Sequence, residues 1–204
     1  MDNVDNPSGF HAINHLHGAP TNFRVTTYRK EASVILGLGD AVVLAGSSST
    51  AGTNSADKTG IPTITRAAGA SGTITGVVVG FQHDVGTTSP DQRGHYMAAA
   101  DTGHVYVCDD PYAKFWIQED STGNNIVVTD VGEGIDLITA ANANATTGYS
   151  VFELDSSTSA DQSGNADQLV LLELLQAPDN ALGANAKWVV MINEHTYKGV
   201  GTMI

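Results

Sequence analysis

Cysteine is almost missing from this chain: Cys108 is the only one in 204 residues, so no disulfide can form within it and nothing points to an oxidising compartment. Cations are scarce as well. Nine Lys and Arg stand against 22 Asp and Glu, a net charge of -13. That balance works against a polyphosphate backbone, where clustered cations are needed to release counterions, so direct nucleic-acid binding is not expected. No apolar run approaches the roughly 18 residues of a membrane span. The opening MDNVDNPSGF also lacks the basic and apolar regions of a secretory signal. A soluble protein made in the cytoplasm is the expectation, with no membrane partner. No GxSxG elbow and no phosphate-cradling glycine loop ending in Lys-Ser or Lys-Thr occurs. No long 3.6-residue period occurs either, which leaves little room for helices.

What is present is globular and rich in turns. Apolar residues make up 41% of the chain and charged residues 15%, with Gly, Ser, Thr, Asn and Ala between the apolar runs. A domain of this length buries roughly 70% of its unfolded surface and needs no staples. The charge is uneven: from Ala67 to Ala186 the only basic residues are Arg93 and Lys114. This reads equally as an acidic body with less charged ends free to dock or as acidity serving solubility.

Residues 1–22 contain Gly, Pro, Asn and His11, His15 and His17 without a sustained period, and read as an extended N-terminal arm. Residues 23–204 read as one β-barrel or sandwich-like domain of about ten short strands. Alternation predicts strands at Phe23 to Arg29, Ala41 to Gly46, around Ile64, Thr73 to Phe81, in HVYVCDD and AKFWIQED on either side of Pro111, and in NIVVTD, GIDLITA and YSVFELD. Ser121 to Asn124 reads as a hairpin turn, while Ser47 to Gly60 and HDVGTTSPDQRG read as surface loops. Asp167 to Leu175 is short and dense enough to be strand or helix; its length and the loop before it favour a strand. Lys187 to His195 is the last strand. One of its alternating sets, Trp188, Val190 and Ile192 or Val189 and Met191, belongs to the core, and the other to an interface if the strand is an edge.

Four groups of residues invite a chemical reading. Gly9, five residues, His15, Leu16 and His17 match the opening of a cupin metal motif, but Thr21 and Asn22 stand where a glutamate ligand is needed. Asp161, Ser163, Asn165 and Asp167 alternate like calcium ligands, yet Gly164 and Leu172 break the pattern. Asp109, Asp110, Glu119 and Asp120 bracket Tyr112, Phe115 and Trp116, as in a glycan cleft, although strand ends commonly carry acids. Cys108 ends an apolar run and reads as a buried small hydrophobe rather than a nucleophile. The expectation is a protein that is no enzyme and needs no cofactor or metal.

The closing string QLVLLELLQAPDNALGANAKWVVMINEHTYK, from Gln168 to Lys198, resembles the end of capsid decoration, or cement, proteins of tailed double-stranded DNA bacteriophages. HLHGAP at His15 to Pro20, GDAVVLAGS at Gly39 to Ser47, GVVVGF at Gly76 to Phe81 and CDDPYAKFWIQED at Cys108 to Asp120 fit the same family in the same order. The resemblance implies a virion structural protein on the outer capsid surface, made in the host cytoplasm. Its partners would be the major capsid protein, at capsomer junctions, and copies of itself, as a homotrimer. Docking is then expected on the arm, through Phe10, His11, Ile13, His15, Leu16 and Pro20, with Phe23 and Tyr28 next. The alternative is that these side chains cover the base of their own barrel. Two other classes stay open: a head-fibre or tail subunit binding host glycan, sensitive to change at Trp116, and a cupin-like metalloenzyme dependent on His15 and His17.

Overall fold

A computed structural model describes residues 3–17, 23–49, 60–84, 94–138, 141–158 and 167–198. The fold is all-β. Its strands are β1 (His11–His15), β2 (Val25–Lys30), β3 (Leu36–Gly37), β4 (Ala41–Ser48), β5 (Pro62–Arg66) and β6 (Gly76–His83), followed by β7 (Tyr96–Met97), β8 (Gly103–Cys108), β9 (Ala113–Gln118), β10 (Gly134–Ile135), β11 (Leu169–Leu174) and β12 (Lys187–Ile192).

Five strands pair in the closed order β2-β5-β4-β6-β8 and form a small barrel. All its seams are antiparallel except β2 with β5, a parallel pairing of Arg29 with Thr63 and Lys30 with Ile64. A second, five-stranded sheet runs β1-β9-β12-β11-β10, and β3 and β7 form a small ribbon.

The period of two explains how one barrel serves two cores. Tyr28, Val42, Ile64, Val78, Val105 and Val107 point inward and fill the barrel with Leu36 and Met97. Their chain neighbours Ala41, Val77 and Cys108 point outward, against Phe115, Ile117, Leu169, Leu171, Trp188, Val190 and Ile192 of the second sheet. The sheet therefore lies on the outside of the barrel wall, with one face buried and one turned away. Gly76 sits where β6 lies tightly against β8: a Cβ there would lie 2.3 Å from the Cys108 carbonyl oxygen.

Most expected strands form, and Asp167 to Leu175 is a strand as read. Pro111 lies in the turn between β8 and β9, which passes the chain from barrel to sheet. Three expectations are corrected. NIVVTD is no strand: Val128–Asp130 is a 3-10 turn, because the Asp130 carboxylate accepts the Val127 N–H at 3.0 Å and closes it. Ser121 to Asn124 therefore starts no hairpin; Asp120 accepts from the Thr122 and Ser156 amides instead. In YSVFELD only isolated bridges form, Tyr149 with Leu38 and Leu154 with Glu119 and Leu137. Residues 50–59 and 85–93, most of the two expected loops, lie outside the described residues, as do Pro20, Thr21, Asn22 and the calcium-like Asp161, Ser163 and Asn165.

Candidate functional site

Part of the arm, His11–His15, is strand β1. β1 pairs with β9, His11 opposite Trp116 and Ala12 opposite Phe115, with a bulge between Ala12 and Asn14. Phe10 is 3% exposed; its ring meets Phe115 edge-on at 5.7 Å and its amide donates to the Gly39 carbonyl at 3.0 Å. Tyr28 is 1% exposed in the barrel core, and Phe23 packs against the sheet's core. Phe10 and Tyr28 are thus removed from the expected docking set, because burial in their own core leaves no face for a partner.

The remaining arm residues line the edge of the sheet. His11 stacks on Trp116 at 3.9 Å, nearly parallel, and its Nε2 lies 2.8 Å from Ser8 Oγ. Burial, with Lys187 nearby, lowers its pKa and keeps it neutral. The Nδ1 of His15 accepts the His17 amide at 3.1 Å, so Nε2 carries the proton toward Asp110 Oδ1 at 3.2 Å. Ile13 is half-buried at the bulge, and Leu16 is 39% exposed.

Among the described residues, none of the chemical constellations converges on a reaction site. Asp109 and Asp110 precede β9, while Glu119 and Asp120 follow it, roughly 20 Å away by strand rise, far beyond the reach of a glycosidase pair. Asp109 is instead a structural hub, accepting from Arg24 Nε at 2.8 Å, Thr26 Oγ1 at 3.0 Å and the Tyr28 hydroxyl at 2.8 Å. Trp116 already has partners, His11 on its ring and the Lys187 ammonium 5.7 Å from its centroid. Among the described residues no three His, Cys, Asp or Glu are placed to hold a metal ion. Cys108 is fully buried, and burial pushes its thiol up to about 12.

The candidate site is the outward face of the five-stranded sheet. On β9, Lys114 and Trp116 alternate with the buried Phe115 and Ile117; on β11, Val170 and Leu172 alternate with the buried Leu169 and Leu171. β12 is central, not an edge, so the edge condition for Val189 and Met191 is not met. They still lie on the outward face, opposite the core residues Trp188, Val190 and Ile192, and are 4% and 5% exposed. A groove of about 340 Å³ runs over this face, lined by Leu16, Gly132, Val170, Leu172, Met191 and Lys198, with Asn193 at its floor. The Lys198 ammonium sits 5.1 Å from the Tyr112 ring centroid and 3.4 Å from the Ile192 carbonyl oxygen, and burial lowers its pKa.

No family model, curated protein or solved structure matches the chain. The face was missed in the sequence for a physical reason. Alternation tells which side chains of one strand share a side, but only the order β9-β12-β11 brings Lys114, Met191 and Leu172 onto one surface. Of the expected docking residues that are described, Leu16 alone lines the groove. No helix among the described residues is long and apolar enough to cross a membrane.

Proposed function

We propose that the protein is a structural component of a tailed-phage virion that binds the outer surface of the capsid at capsomer junctions and stabilises the expanded shell. One observation carries the reading. The fragments that resemble cement proteins, CDDPYAKFWIQED and Gln168 to Lys198, supply the adjacent strands β9, β11 and β12, and HLHGAP begins at the end of β1. Residues far apart in the chain thus build a single sheet, whose outward face carries a largely apolar groove beside Lys198.

The mechanism needs no chemistry. A surface spanning two or three capsid subunits exists only when they are correctly spaced, so binding draws the shell toward its expanded form by linkage. A homotrimer engaging several subunits at once would gain avidity on the order of 10²–10⁴ from modest individual contacts. An acidic body of net charge -13 keeps unbound copies apart.

The test is co-sedimentation of the purified protein with expanded shells stripped of their decoration, with unexpanded precursor shells as control. Saturable binding to expanded shells alone is expected. A folded protein that binds neither shell overturns the proposal and directs attention to host glycans.

A further inference from the structure

The outward sheet face gathers basic side chains on an otherwise acidic molecule, with the exposed Glu173 opposite Val189 as a carboxylate among them. Of nine basic side chains in the sequence, Lys114, Lys187 and Lys198 lie on or beside it. Lys187 is engaged by Asp179 at 3.0 Å, but among the described residues Lys114 and Lys198 have no carboxylate within ion-pair distance. Lys198 is the sharper case. Its ammonium lines the groove, and its partners among the described residues are the Ile192 carbonyl oxygen at 3.4 Å, the Met191 sulfur at 3.9 Å and the Tyr112 ring. A cation partly withdrawn from water and lacking an anion gains when a carboxylate arrives.

The groove's lining is apolar apart from Asn193 and Lys198; at its margin Leu16 is 39% exposed, and Val131, next in the chain to the lining Gly132, is 41% exposed. Apolar surface and an uncompensated ammonium side by side define the chemistry of the complement.

We infer that this face is the docking surface, and that its occupant is a segment of the capsid subunit that inserts an apolar side chain between Leu16, Leu172 and Met191 and presents an Asp or Glu to Lys198. The inference rests on the capsid reading above and adds to it the face and the chemistry of the partner. Charge complementarity makes the choice of occupant. An acidic partner is repelled by the net charge of -13 and gains at the groove, where Lys198 has no carboxylate partner among the described residues, so electrostatics orient the approach as well as strengthen the contact.

The lone buried thiol makes a direct footprint possible. Leu172→Cys adds one reactive group in the groove, and Gln82→Cys, exposed on β6 of the barrel, serves as control. With stripped expanded shells as the probe, shell-bound protein should protect Cys at 172 from maleimide and leave Cys at 82 reactive. Lys198→Glu should weaken shell binding about tenfold or more, while Lys198→Arg retains it, with unchanged circular dichroism in both. If the wild type binds but position 172 stays reactive and Lys198→Glu binds normally, the face is wrong and the capsid reading stands. If the wild type binds no shell, both fall together.

Discussion

Glu119 gives the fold a stability that falls as the solution becomes more alkaline. Its side chain is fully buried at the end of β9; Oε2 accepts the Ile126 N–H at 3.0 Å, while Oε1 and the nearby Trp188 Nε1 each lack a partner of hydrogen-bond geometry. Burial pushes the carboxyl from its ordinary 4.5 up to about 7, against the smaller pull of the Ile126 amide and the indole. Between those two values the folded chain holds a proton that the unfolded chain has released. Stability therefore drops as pH rises, by about 2 to 3 kcal/mol between pH 5 and pH 8 from this group alone. Replacing it, Glu119→Gln, removes the titration and keeps an oxygen for the Ile126 amide. Urea unfolding at pH 5, 6, 7 and 8 should show the wild type losing that much more stability than the variant across the range. Glu153, which burial also raises to about 7, titrates in both proteins and cancels in the difference. Parallel curves for the two proteins would refute the argument and mean that Glu119 is ionised in the fold at pH 5 or is reached by water.

Other outcomes follow from the same geometry. His195 is fully buried and burial lowers its pKa from 6.5 to about 4, so the unfolded chain binds the extra proton in that window and stability should fall as pH drops through it; His195→Gln should flatten this acid limb in the same urea series. Phe10→Ala should lower stability by about 3 to 5 kcal/mol, since it empties a core site against Phe115 and frees the start of β1, and a denaturant midpoint measures it. Cys108 should resist Ellman's reagent in the native protein at pH 8 and react stoichiometrically once urea is added; rapid native reaction would contradict its burial.

How much of this was legible beforehand depended on which physical signal each segment carries. β8 and β9 announce themselves, because GHVYVC and AKFWIQ bury one side heavily and the alternation survives in sequence, while β12 is marked by the dense apolar run KWVVMI, buried on both sides. β1 does not: HAINH carries a bulge between Ala12 and Asn14, which breaks the period that would have marked it. NIVVTD looked like a strand by propensity, yet Val127 and Val128 are exposed and a local acid closes a turn before any neighbour can pair. The arm's role was half readable. Its apolar residues were picked out, but whether they face a partner or their own core is decided by Phe115, a hundred residues away, and by Gly39, whose carbonyl takes the Phe10 amide. The sheet's outward face was not readable at all, since it is a property of strand order rather than of any one strand.

That strand order also sets a timetable. β12 occupies the middle of the five-stranded sheet yet leaves the ribosome after every other described strand, so β9 and β11 wait without each other's shared neighbour until residue 192 has emerged. A chain broken off anywhere before Lys187 lacks the central rib and exposes two bare strand edges, which favours aggregation over a partly built protomer.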